Sequence, residues 1–251
     1  MIHPINKSLI RKSLIILTIL LYTQALLCIE SDIMLISDPR ILIIPIKENH
    51  DPFIDLRDQN SIAFGPSPEI PNNTDYTKVR QSVYQKLLEA QKLLPSNLKF
   101  CLYEGYRSLQ LQEKIFNDRY SELKKKYAAW SYEELFIETT KFVSPVINLD
   151  GSRNIPPHGS GAAIDIYLIN EKGEIVDMGI NVGDWMKDLD GSLCQTSSTK
   201  ISAQAKKYRI IMSDVLIKVG FVNYPTEYWH WSYGDRYWAY HTKASYAFFG
   251  C

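Results

Sequence analysis

One short run limits the architecture more than any other feature of the chain: Ile164-Asp165-Ile166-Tyr167-Leu168-Ile169. Its β-branched and aromatic content makes it a strand, followed by a turn at Asn170 to Gly173 and a partner strand at Glu174 to Val176. Successive side chains alternate, so Ile164, Ile166 and Leu168 share one face while Asp165 and Tyr167 take the other. Around this strand, helical and extended patterns alternate irregularly. Val79, Val83, Leu87, Ala90 and Leu94 recur at helical spacing up to Pro95. Lys99 to Tyr103 suits a strand, and Leu111, Ile115, Phe116, Tyr120 and Leu123 mark a second helix. Ser131 and Glu134 form a capping box that opens a third, which must end before Pro145. Tyr208 to Val219, stopped by Gly220, gives a fourth, and Phe221 to Tyr224 and Tyr228 to Tyr233 complete a sheet. No regular βαβ period or internal repeat is present, so the expected class is α+β, a small and largely antiparallel sheet flanked by helices.

The first 28 residues stand apart from this pattern. Lys7, Arg11 and Lys12 precede an apolar run from Leu14 to about Leu27, the order of an export signal, and the run is short of the roughly 20 residues that span a bilayer core. The expected organisation is a signal peptide at residues 1–28, with an uncleaved anchor as the alternative, then one domain over 29–251 beginning with a proline-punctuated covering arm from Ser31 to Pro71. Such a protein is exported, periplasmic or secreted. Ala25-Leu26-Leu27-Cys28 resembles a lipoprotein box, but Leu27 is larger than the usual residue before the cysteine. A membrane is therefore expected as a partner only through an uncleaved or lipidated N-terminus.

The 28 basic residues balance 28 acidic ones, and removal of the signal leaves 25 basic against the same 28 acidic. With no polybasic strip and a mature charge slightly below zero, nucleic acid is not an expected partner. Of the four cysteines, Cys101, Cys194 and Cys251 outlast signal removal, with no C-x-x-C pair among them. A disulfide between Cys194 and Cys251, with Cys101 free, is the pairing expected in an oxidising compartment.

Two of the five histidines keep unusual company. His158-Gly-Ser-Gly-Ala-Ala-Ile-Asp165 runs a glycine-containing turn into the strand, and Glu227-Tyr-Trp-His230 follows after about 60 residues. Neutral imidazole and carboxylate suit zinc, and a catalytic zinc takes three protein ligands with one position left open. His158, Asp165 and His230 would supply them, with Glu227 near enough in sequence to accept a proton on the open side. By ligand chemistry alone a second reading stands beside this one: Asp165 as a turn cap or ion-pair partner, and His230 as a core histidine between Trp229 and Trp231.

Taken together, His-x-x-Gly-x-Ala-x-Asp and Glu-x-Trp-His resemble the signature of the zinc D-alanyl-D-alanine peptidases, the group containing the Van-type dipeptidases and related D,D-carboxypeptidases. Glu104-Gly105-Tyr106-Arg107 is similar to the dipeptidases' Asp-Gly-Tyr-Arg-Pro segment, and Asp55-Leu56-Arg57, Asp177-Met178-Gly179 and the stretch from Tyr233 to Gly250 also resemble dipeptidase segments. The resemblance implies one catalytic Zn²⁺ bound by His158, Asp165 and His230. It further implies Glu227 as the general base and then acid, and Arg107 as the cation that polarises the scissile carbonyl. A substrate-binding role for Asp184, toward the dipeptide's ammonium, is also implied, although this aspartate lies one residue later than the family's. Pro156 and Pro157 stand where relatives include a substrate-contacting serine, and Ser108 replaces the proline that usually follows the arginine.

The activity this implies is hydrolysis of D-Ala-D-Ala by a metal-activated water. D,D-carboxypeptidase or endopeptidase action on peptidoglycan-derived stem peptides is one alternative, and a non-catalytic, zinc-stabilised wall-binding module is another. A binding module would need the ligands but no base, so Glu227 favours an enzyme. The aromatic cluster from Tyr224 to Trp238 reads as core packing before it reads as a substrate wall.

Overall fold

The computed structural model describes residues 33–250. The expected signal peptide with Cys28, and Cys251 at the other end, lie outside the described residues. Helix α1 (Pro39–Leu42) forms because Asp38 accepts a hydrogen bond from the Arg40 amide and Pro39 sits in the first turn, where no donor is needed. Strands β1 (Phe53–Asp55), β2 (Ala63–Phe64) and β3 (Lys78–Arg80) follow. The expected arm is therefore extended over much of its length, but it also carries a helical turn and two strands. Helix α2 (Gln81–Gln91) begins two residues later than the apolar spacing suggests, because Val79 is committed to pairing with Ile54 across β1 and β3.

Strand β4 (Leu98–Glu104) leads to α3 (Leu109–Lys126), and α4 (Tyr132–Thr139) opens with both halves of the Ser131–Glu134 capping box in place. The chain then forms α5 (Pro157–Ser160), β5 (Ala163–Asn170) and α6 (Ala203–Lys218). Helix α6 starts earlier than its apolar residues suggest because Ser202 caps it, accepting from the Ala205 amide. Strands β6 (Val222–Asn223) and β7 (His230–Ser232) and helix α7 (Arg236–Thr242) complete the order.

The main sheet has the order β2-β4-β5-β7-β6, antiparallel except for the β2–β4 pair, while β1 and β3 form a small antiparallel ladder. The α+β class expected from the sequence is the one observed. Ile164, Ile166 and Leu168 point into the main core with Phe100 and Leu102 of β4, Val83 and Leu87 of α2, and Met212 and Leu216 of α6. Tyr167 packs on the other face with Cys101 and Ile169. Residues from Leu35 onward form one compact unit, and none of the described helices is long and apolar enough to cross a membrane.

The expected disulfide is not formed. Cys194 is a free, fully buried thiol, pushed well above the ordinary range by burial and by its neighbour Asp188, and Cys101 is likewise free. Asp188 accepts from the Leu193 and Cys194 amides, which turns this cysteine into the interior.

Candidate active site

Strand register assembles the centre. Asp165 on β5 lies opposite His230 on β7 and, on its other side, opposite Glu104 on β4. Paired residues project to the same face of a sheet, so one row carries all three groups. A bulge between Leu102 and Glu104 inserts Tyr103 as the extra residue and brings Glu104 level with Asp165. His158 arrives from α5, the short turn just before β5. Pro157 in its first turn needs no hydrogen-bond donor, and Gly161 ends the turn at φ 75°, where a Cβ would stand 2.3 Å from the Phe53 ring.

His158 Nδ1 lies 2.7 Å from the Gly105 carbonyl, which makes Nδ1 the protonated nitrogen and leaves the Nε2 lone pair free. Nε2 stands 3.2 Å from His230 Nδ1 and 3.4 Å from Asp165 Oδ1, and the last two atoms are 3.0 Å apart. Tetrahedral ligands at zinc's usual bond lengths are separated by about 3.3 Å, so these three atoms already have the spacing of one face of a zinc site. All three residues are buried. Burial would raise the Asp165 carboxyl, but the two imidazoles outweigh it and hold the group well below the usual range. Burial lowers the pKa of His230, against the pull of Asp165.

Glu227 and Arg107 line the same cavity as the ligand triad. Glu227 is buried, with Oε2 3.7 Å from His230 Nδ1. Burial first, and then the charge of Asp165, push its carboxyl well above the usual range. Arg107 keeps its charge: burial works against it, but an ion pair and hydrogen bond from its Nη2 to Glu104 win. Its Nη1 donates to Gln112 at 3.0 Å, leaving buried Nε without a partner among the described residues. Ser108, in place of the proline expected after this arginine, caps α3 by accepting from the Leu111 amide.

Asp184 is not brought into the centre. It lies on a 3₁₀ turn, Val182–Lys187, exposed and paired with Lys187 at 2.5 Å. Its one-residue displacement places Gly183 beside Tyr103 and turns Trp185, not the carboxylate, toward the cavity. Further lining residues escaped sequence reasoning as site residues, among them Glu69, Tyr103, Gln112, Phe142, Ser144 and Trp185. Only Tyr103 had a usable signal, being next to the Glu104-Gly-Tyr-Arg segment. Of the aromatic cluster, Tyr224 and Trp229 line the cavity, while Trp231 and Tyr237 are wholly buried.

An α+β frame holding two histidines and an aspartate at zinc spacing, with a buried carboxylate and a buried guanidinium beside them, is that of a zinc metallopeptidase. Residues 72–247 match the family described as D-ala-D-ala dipeptidase, and the chain belongs to that family. A D-alanyl-D-alanine dipeptidase of Synechocystis sp. is 24% identical over 218 residues, covering 79% of this chain and 88% of that one. Among solved structures, VanYB in complex with D-alanine-D-alanine is 14% identical over 75% of this chain and 88% of that one, with a TM-score of 0.41. The LdcB LD-carboxypeptidase is 15% identical over 78% and 75%, with a TM-score of 0.37.

Proposed function

We propose that this protein hydrolyses D-Ala-D-Ala, with the free dipeptide as its preferred substrate, outside the cytoplasm where products of wall turnover occur. The observation that carries this reading is the convergence of Glu227 and Arg107 on the cavity that holds His158, Asp165 and His230. These three side chains would hold the zinc, which when bound supplies Lewis acidity toward the scissile carbonyl and the attacking water.

The chain's own groups then divide the work. Glu227 takes a proton from the water as it adds to the carbonyl carbon and passes it to the departing amine, so that cleavage of the peptide bond leaves two D-alanines. Arg107, held by Glu104 and Gln112 with Nε to spare, offers fixed positive charge to the oxygen on which negative charge develops. Trp185, Phe142, Trp229 and Ile36 restrict water around these charges and strengthen them. Pro156 and Pro157 offer no hydroxyl, so recognition of the substrate falls to other lining groups.

The test loads the purified enzyme with zinc and follows D-alanine release from the dipeptide beside a stem pentapeptide. Release from the dipeptide is expected, and preferential release from the pentapeptide would replace the dipeptidase reading with a carboxypeptidase one. Glu227→Ala should keep its zinc and lose at least about a hundredfold in kcat, the usual range for a general base. Turnover at the parent rate would remove Glu227 from the role.

A further inference from the structure

The cavity is open at one end and shut at the other. Tyr103 on β4 and Glu69 in the loop between β2 and β3 line the open end, where Glu69 is exposed. The sheet order carries the cavity past Asp165 on β5 and His230 on β7 to Tyr224, which follows β6. There Ile36 of the N-terminal arm lines it together with Phe142, Val143 and Pro157, and only 6% of Ile36 is exposed. The arm is fixed in this position. The Ile36 amide donates to the Tyr224 hydroxyl at 3.4 Å, and that hydroxyl donates to the Thr140 carbonyl at 2.8 Å. The Tyr224 ring in turn packs edge-on against His230, with centroids 6.0 Å apart. Beyond Ile36, α1 packs on α7 and buries Ile41, and Arg236 donates to the Ile44 carbonyl at 2.9 Å.

We propose that Ile36 is a specificity-determining residue, which walls off the cavity beside the metal ligands so that the substrate residue lying on that side carries a side chain no larger than a methyl group. The inference rests on the peptidase reading and adds a residue to it. Ile36 is apolar and β-branched, so it presents a stiff surface that makes no hydrogen bond to a longer polar chain. A larger side chain would have to displace Ile36 and, with it, the bond from its amide to Tyr224, and overpacking of a filled wall is unfavourable. Because the arm is already held by Tyr224 and Arg236, the wall exists before substrate arrives and its ordering does not weaken binding. Ile36 lies ahead of residues 72–247, so this selectivity belongs to the arm and not to the segment that matches the family.

The experiment compares D-Ala-D-Ala, D-Ala-D-Leu and D-Leu-D-Ala on the zinc-loaded enzyme and on Ile36→Ala and Ile36→Phe. Ile36→Ala should raise kcat/KM for one of the two leucine dipeptides about tenfold or more, the scale of relieving a hydrophobic pocket of a few carbons, with D-Ala-D-Ala within a few-fold of the parent. Ile36→Phe should raise KM for D-Ala-D-Ala about tenfold at unchanged zinc content. A selective gain cannot come from poorer folding, which lowers activity on every substrate alike. A gain on neither leucine dipeptide, or an equal change on all three substrates, overturns the assignment while leaving the peptidase reading intact. Calorimetric binding of the three peptides to zinc-loaded Glu227→Gln, with and without Ile36→Ala, is the second readout. If the parent enzyme turns over none of them, the peptidase reading fails, and this titration still decides Ile36: tighter binding of one leucine dipeptide in the double variant supports it, and equal or absent binding rejects it.

Discussion

At the scale of single residues, similar sequence signals produced different outcomes according to what surrounds them. Asp55 and Arg57 belong to a segment that resembles the dipeptidases, yet the structure uses them for folding. Asp55 accepts from the Arg57 amide and guanidinium and from the Thr77 hydroxyl, and these bonds, Arg57 foremost, hold its carboxyl down to about 2. A carboxyl lowered on folding adds stability that is present above its unfolded pKa and is lost as pH falls through the folded value. Asp55→Asn should therefore cost about 1 kcal/mol at pH 7, discounted for the exposed Arg57 partner, and the gap should close between about pH 4 and pH 2. Urea denaturation at several pH values checks this, and a gap independent of pH would show that the ion pair is not its source. Arg119 makes the opposite point. A helix arginine reads as solvent-facing, but this one is fully buried, reaches the carbonyls of Met186, Asp188 and Leu189, and lies over the rings of Phe142 and Trp185 that wall the cavity.

Secondary-structure elements carry the site through their ends. Helix α3 begins two residues after Arg107, and its cap Ser108 fixes where the chain leaves the centre. Ser108→Ala should lower stability by about 1 kcal/mol, as loss of an N-cap usually does, with zinc content unchanged; an unaltered denaturation midpoint would mean that the cap contributes nothing. The Ser131–Glu134 cap was legible in the sequence, whereas the caps at Ser108 and Ser202 appeared only in the structure. Short strands were less legible. Val79 has the spacing of a helix residue and becomes a strand residue because Ile54, distant in sequence, offers a ladder partner. Helix α7 left no clear apolar period because its aromatic residues pack on several sides, against Phe248, Tyr224 and Gly220.

For the whole molecule, the centre joins parts of the chain that are far apart: α5, β5 and β7 carry the three candidate ligands, β4 and the turn after it hold Glu104 and Arg107, and the N-terminal arm places Ile36 against the cavity near the Tyr224 hydroxyl. Metal bound there ties these elements together in the folded state only, so binding adds to global stability. With free zinc about a hundredfold above its dissociation constant the gain is about 2.7 kcal/mol, and chelation should lower Tm by roughly 5–10 °C for a chain of this size. Differential scanning with and without chelator measures it. Asp165→Ala should abolish the difference, and a chelator effect surviving in that variant would place the metal elsewhere.

The sequence by itself determined what depends on neighbours along the chain. It set the α+β class, the two faces of the central strand, the Ser131 cap, and the histidine and acid motifs that make a candidate metal site, because periodicity and short motifs are local properties. Tertiary structure decided what depends on registry between distant segments. The bulge at Tyr103 brings Glu104 level with Asp165, the turn at Val182 faces Asp184 to solvent, and a loop more than 30 residues before Arg107 supplies Glu69 to the cavity. A shift of one residue reverses the direction of a side chain, and no local pattern records which partner strand or loop will be there to meet it.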